Sequence, residues 1–136
     1  MDTRAFLGQL GQFISPTSIK FNVVGILFDG LTMLPQVVPI GATGVALNVT
    51  VVNSSADGFV SIRPGDAVGA PATSSLNFEA GDNVANAVTV RLPSAGATAG
   101  KIDVTYDAYG VPGARADILI DVVGYYVGAE IVVASG

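Results

Sequence analysis

Residues 118–126 have the sequence ILIDVVGYY and residues 46–53 have the sequence ALNVTVVN, and these two stretches decide the fold. Each is rich in branched aliphatic residues and carries one or two polar side chains, as is typical of a β-strand that packs against a core. Together they predict a compact all-β module. Neither stretch contains residues that carry out catalysis.

Similar strand-like segments recur roughly every ten to fifteen residues, and turn signals separate them. Seventeen glycines and seven prolines suit many short strands joined by tight turns. The pattern predicts an antiparallel β-sandwich or a jelly-roll-like barrel of about eight strands. The predicted strands cover residues 18–28, 45–53, 59–63, 74–79, 84–92, 101–107 and 117–127, and residues 31–39, which contain two prolines, suit an edge strand or an extended connection.

One domain accounts for residues 1–136, since 136 residues suffice for one hydrophobic core. Residues 15–127 form the predicted core of this domain. Residues 1–14 mix glycine and glutamine with apolar residues, which predicts an arm that packs on the domain or on a neighbouring molecule. Residues 128–136 carry one more apolar triplet and are expected to form an edge strand or a tail.

Two local patterns lead to specific predictions. Residues 53–58 (NSSADG) are typical of a hairpin loop in which Gly58 adopts a positive φ. Residues 101–107 (KIDVTYD) alternate between polar and apolar side chains. This alternation predicts that Ile102, Val104 and Tyr106 face the core. It predicts that Lys101, Asp103, Thr105 and Asp107 face solvent.

Charged residues make up only 12% of the chain, against roughly 25% in ordinary globular domains. A surface with so few charges favours contacts between copies, so we expect a homo-oligomer or a larger lattice. The net charge is −5 and the six basic residues are scattered, so no basic patch is available for nucleic acid. No apolar run approaches the ~18 residues that a membrane span needs.

The chain has no cysteine and no histidine. Ser-His-Asp catalysis, thiolate nucleophiles and the usual zinc sites are therefore excluded. The acidic residues show no spacing that selects a glycosidase-like pair. We expect a protein that is not an enzyme and that carries no cofactor and no metal.

Asp121 is the most unusual carboxylate in the sequence, because it lies among Ile, Leu and Val. A buried carboxylate needs a partner. Arg4 is the preferred candidate, since this pairing would hold the N-terminal arm against the last long strand. Arg91 and Arg115 are the alternatives.

Two pairs of aspartates lie four residues apart on one strand face and raise the question of a calcium site. They are Asp103 with Asp107 and Asp117 with Asp121. No Asp-x-Asp-x-Asp-Gly loop accompanies them. A solvated strand face for the first pair, and a hydrogen-bonded structural role for Asp121, is the favoured interpretation.

Several short motifs follow one another in a defined order: DTR at 2–4, ATGVALNVTVVN at 42–53, GFVSIRP at 58–64, TSSLNF at 73–78, VANAVTV at 84–90 and DVVGYY at 121–126. This series resembles a β-rich module common in secreted and cell-surface proteins of actinobacteria, where it accompanies cell-wall hydrolases or occurs as repeats. The resemblance covers about residues 16–127 and implies no defined activity. The N-terminus is unlike a secretory signal. A stand-alone version of the module without such a signal resembles what an actinobacterial phage would carry.

The sequence therefore favours a non-enzymatic structural protein that assembles with itself, such as a phage capsid decoration or tail protein on the virion surface. The candidate oligomer contacts are the apolar residues near the two ends: Phe6, Leu10, Phe13, Ile131, Val132 and Val133. The alternative is an extracellular or cell-surface module that binds cell-wall glycan. Its candidate contact is Tyr109, with the loops at 53–58, 64–73 and 109–113.

Overall fold

The structure is a computed structural model that describes residues 8–25, 27–29, 35–69, 71, 74–128 and 130–133. Within these residues the chain forms β-strands and no helix, which confirms the all-β prediction. The strands are β1 (Gly8–Ile14), β2 (Thr17–Asn22), β3 (Leu27–Asp29), β4 (Pro35–Val37), β5 (Gly44–Val52), β6 (Gly58–Pro64), β7 (Leu76–Phe78), β8 (Val84–Arg91), β9 (Lys101–Asp107), β10 (Arg115–Val127) and β11 (Glu130–Val133).

Two antiparallel sheets make an open β-sandwich rather than a closed barrel. The five-stranded sheet has the order β1-β10-β5-β8, and β11 also pairs with β10. The four-stranded sheet has the order β2-β9-β6-β7, and β3 and β4 form a small separate ribbon. Eight strands thus build the ordered path of the two main sheets, in agreement with the predicted number.

The core lies between the two sheets and follows from the two-residue period of the strands. On β5 every second side chain is fully buried, beginning at Val45, and the alternation continues through Val51. β10 alternates in the same way, whereas all the side chains of β9 from Ile102 to Tyr106 are buried. The apolar side chains that β10 and β9 add to the core include Ala116, Ile118, Ile120 and Val122 on β10, and Ile102, Val104 and Tyr106 on β9.

β10 is the longest strand and organises the five-stranded sheet. One edge pairs with β5 from Asp117 to Tyr126. The other edge pairs first with β1 and then with β11. The predicted N-terminal arm and C-terminal strand are thus both hydrogen-bonded to β10 of their own chain over residues 8–14 and 130–133.

The predicted hairpin at residues 53–58 is wrong. β5 belongs to the five-stranded sheet and β6 to the four-stranded sheet, so this loop crosses between the layers. The positive φ falls on Asn53 (φ 56°), whose side-chain amide donates a hydrogen bond to Asp117 Oδ2 at 2.8 Å. Gly58 serves close packing instead, because a Cβ there would lie 2.7 Å from the carbonyl oxygen of Asp107.

Residues 18–28, predicted as one strand, form two. β2 ends at Asn22, and a turn with Gly25 in the left-handed region (φ 77°) redirects the chain into β3. The side-chain amide of Asn22 donates to the carbonyl of Val24 at 3.0 Å and helps to close this turn.

Candidate binding surfaces

The outer face of the five-stranded sheet carries mostly short side chains. We call its central part the flat face. It consists of Ala46, Asn48 and Thr50 on β5, Ala85 and Ala87 on β8, and Leu119 and Asp121 on β10. The β8 members are exposed and the others are half-buried. Asp121 is the one charged member.

A groove begins where the flat face ends. Tyr126 of β10 lies opposite Gly44 of β5, and Gly44 lies opposite Arg91 of β8. An open depression of about 330 Å³ lies at this end of the three strands, beside the tyrosine and the arginine. We call it the Tyr126 groove; its lining is Thr43, Gly44, Thr89, Val90, Arg91, Tyr126 and Gly128.

The walls of the Tyr126 groove are held in place by polar contacts. Arg91 Nη2 donates to Asp66 Oδ1 at 2.9 Å and to Oδ2 at 3.2 Å, so a loop of the four-stranded sheet anchors the guanidinium. Thr43 Oγ1 donates to the carbonyl of Gly128 at 3.0 Å and closes one end. A Cβ on Gly44 would lie 3.4 Å from Cδ1 of Tyr126, so the ring rests against the strand backbone.

A buried carboxylate lies on the outer face of the four-stranded sheet. Asp103 of β9 stands between Lys20 of β2 and Arg63 of β6, and the side chain of Asp103 is only 5% exposed. Arg63 Nη2 donates to Asp103 Oδ2 at 2.8 Å, and Lys20 Nζ donates to Oδ1 at 3.3 Å. We call these three residues the Asp103 cluster.

Residues 65–69 fold over the Asp103 cluster. Arg63 Nη2 donates to the carbonyl of Gly69 at 3.0 Å, and Lys20 Nζ donates to that of Ala67 at 3.1 Å. The prediction that Asp103 and Thr105 face solvent is therefore wrong. β9 lies in the middle of its sheet, and the long side chains of Lys20 and Arg63 cover Asp103.

Asp121, the predicted buried carboxylate, is half-buried and lies opposite Asn48. Arg4, its preferred partner, lies outside the described residues, so this pairing stays a prediction. Arg115 is six residues away on the same strand, about 20 Å in an extended chain, and is too distant. Arg91 is engaged with Asp66.

The aspartate pairs considered for calcium make other contacts. Asp103 already holds two cationic side chains. Asp117 accepts a hydrogen bond from Asn53. Among the described residues, no three His, Cys, Asp or Glu side chains lie close enough together to hold a metal ion.

Tyr109, the predicted glycan contact, is 63% exposed. Its ring lies beside that of Phe59, with 5.7 Å between the centroids. The loops predicted to accompany it do not converge. Residues 53–58 and 109–113 lie at one end of β6, whereas residues 64–69 leave the other end, about 20 Å away.

The residues predicted as oligomer contacts lie in different parts of the fold. Phe13 is 3% exposed and belongs to the core, so its prediction as a contact between molecules is wrong. The backbone of Leu10 lies in β1, and residues 131–133 lie in β11. Phe6 lies outside the described residues. For all of these except Phe13, a role in assembly stays a prediction.

The sequence contained no signal for the Tyr126 groove or for the Asp103 cluster, because both depend on which strands are neighbours.

No helix in the described part of the chain is long and apolar enough to cross a membrane. No family model, curated protein or solved structure matches the chain.

Proposed function

We propose that this protein is a non-enzymatic structural protein that assembles with itself, and that the flat face packs against the flat face of a second copy. The observation that carries this proposal is the chemistry of that face. Three neighbouring strands present alanine, threonine, asparagine and leucine to the outside, with Asp121 as the one carboxylate.

Such a face is suited to sheet-on-sheet contact. Two sheets pack about 10 Å apart, and short side chains permit this approach without rearrangement. Alanine loses no side-chain entropy when it becomes buried, so Ala46, Ala85 and Ala87 are covered at little cost. The same patch on two molecules makes an isologous contact, the commonest arrangement in homo-oligomers.

The side-chain chemistry supports a role without catalysis. The chain has no histidine or cysteine to act as base or nucleophile. Asp66, Asp103 and Asp117 are engaged with arginine, lysine or asparagine side chains. The resemblance to the actinobacterial module, in a version whose N-terminus is unlike a secretory signal, supports our proposal of a virion surface, as a capsid decoration or tail protein; a cell surface is the alternative.

Light scattering after size exclusion tests the proposal. The purified protein is expected to elute as a discrete dimer or higher oligomer. Ala87→Arg places a charge at the centre of the flat face and should convert that species to a monomer. Ala95→Arg, the same change at an exposed loop position, should leave the mass unchanged. A wild-type monomer at micromolar concentration, or an oligomer that survives Ala87→Arg, would overturn the proposal.

A further inference from the structure

The Tyr126 groove combines three chemical features in a small space. Tyr126 supplies an aromatic wall, Arg91 supplies a planar set of N–H donors on the facing wall, and Thr89 adds a hydroxyl. The backbone of Gly44 forms the floor between them. The depression of about 330 Å³ lies at the lower end of the range for small-molecule sites, roughly 300–1,000 Å³.

We infer that this groove binds one end of a neutral oligosaccharide. A pyranose ring has an apolar face of C–H groups and a rim of hydroxyls. An aromatic ring is complementary to the apolar face, because it buries area at little cost in side-chain entropy. Guanidinium and hydroxyl groups are complementary to the rim, since together they donate and accept hydrogen bonds.

The charges select a neutral sugar over an acidic one. The two hydrogen bonds from Arg91 to Asp66 offset the positive charge on that wall. The chain carries a net charge of −5, which repels polyanions such as uronate polymers. The ligand class is therefore neutral pyranose, with hexose or N-acetylhexosamine units.

The position of the groove differs from the predicted glycan surface at Tyr109. Tyr126 and Tyr109 lie at opposite ends of the sandwich, since Tyr126 pairs with the start of β5 and Tyr109 follows the end of β9. Tyr109 is exposed and its ring pairs with the half-buried ring of Phe59. The two tyrosines thus provide matched variants for one experiment.

Titration calorimetry with cellohexaose, chitohexaose and maltoheptaose, and with oligogalacturonate as the acidic probe, tests the inference on the full chain. At least one neutral probe is expected to bind, and Tyr126→Ala should weaken that binding at least tenfold. Tyr109→Ala should leave the affinity within twofold. Thr89→Trp keeps Tyr126 and fills the groove, and it should abolish binding. Thr89 lies opposite Ala46 of the flat face, so a tryptophan there would also hinder the proposed contact between copies. All variants are therefore compared in the Ala87→Arg background, and thermal melts verify that each one is folded.

Four results would overturn the inference. They are no heat with any neutral probe, tighter binding of oligogalacturonate, loss of binding in Tyr109→Ala with retention in Tyr126→Ala, and full affinity in folded Thr89→Trp. The inference does not depend on self-assembly. A monomer that binds sugar would overturn the proposed function alone. An oligomer that binds none of the sugars would overturn only the inference about the groove.

Discussion

Arg63 and Asp103 face each other across β6 and β9, and two guanidinium nitrogens converge on one carboxylate oxygen. Nη2 of Arg63 lies 2.8 Å from Oδ2 and Nε lies 3.2 Å from it. Lys20 reaches the other oxygen. A carboxylate that is 5% exposed is thereby compensated by two cations, which also hold residues 67–69 through their carbonyls.

Asp103→Ala is expected to destabilise the fold by about 2–3 kcal/mol, because it leaves the partly buried Arg63 without its carboxylate. The value is below that for a fully buried pair, since Arg63 and Lys20 are 19% and 40% exposed. Urea unfolding measures it. Lys20→Met, which removes the more exposed partner, should cost under about 1 kcal/mol. Equal effects of the two substitutions would contradict this account of the cluster.

Phe13→Ala is expected to cost about 3–4 kcal/mol, because it leaves a cavity in the core of the same molecule. The measurement belongs in the Ala87→Arg background, where a contact between copies no longer contributes. Ile14→Ala on the opposite face of β1 is the control. Ile14 is 51% exposed, so its substitution should cost under about 1 kcal/mol. A Phe13→Ala variant as stable as the Ile14→Ala variant would show that Phe13 is no core residue.

Tyr106→Phe is expected to leave stability unchanged or to raise it by up to about 1 kcal/mol. The Tyr106 hydroxyl is buried and has no hydrogen-bond partner in the described part of the chain, so it gains nothing from its position. Chemical denaturation of Tyr106→Phe and Tyr109→Phe at pH 7 provides the comparison. A loss of about 1.5 kcal/mol in Tyr106→Phe alone would reveal a hydrogen bond to the hydroxyl.

Alkaline pH separates Tyr106→Phe from the wild-type protein. Burial, and secondarily the negative charge of Asp107, raises the pKa of Tyr106 above its ordinary value near 10. The unfolded chain therefore loses this proton first, and the wild-type protein loses stability as the pH rises above about 10. Tyr106→Phe removes this contribution and should retain more of its pH 7 stability at high pH. Parallel pH profiles for Tyr106→Phe and wild type would contradict the assignment.

Gly58→Ala is expected to destabilise by about 3 kcal/mol, since the new Cβ would lie 2.7 Å from a backbone oxygen. Gly96→Ala is the control. Its Cβ would meet nothing within 4 Å, so only the positive φ of 82° opposes it, at about 1 kcal/mol. Thermal melts rank the two variants, and the reverse order would show that strand packing around β6 is looser than described.

The strand positions were largely predictable because alternation is a local signal. The predicted strand at 101–107 coincides with β9, and the predictions for β5, β6 and β8 agree within one or two residues. Pairing was not predictable, because each sheet brings together strands that are distant in sequence. The burial of Asp103 follows from the pairing of β9 with its two neighbouring strands. The crossover after Asn53 follows from the assignment of β5 and β6 to different sheets.

The candidate sites show the same difference between local features, which were predictable, and features that depend on strand pairing, which were not. Residues 109–113 were predicted as a loop from their local sequence, and Tyr109 in that loop is exposed. The Tyr126 groove was not, because it requires Gly44 to lie between Tyr126 and Arg91, three residues from three separate parts of the chain. Phe13 was misassigned because an apolar residue near a terminus carries no local sign of whether it packs within or between molecules.

The central place of β10 has a consequence for biosynthesis. β1 has no strand partner within its own sheet until β10 has been synthesised, roughly a hundred residues later. At about 5–20 residues per second, the first strand waits for several seconds or longer with its hydrogen-bonding edge unpaired. The five-stranded sheet can therefore close only late in translation, and the nascent chain has to be kept from pairing with its neighbours on a polysome.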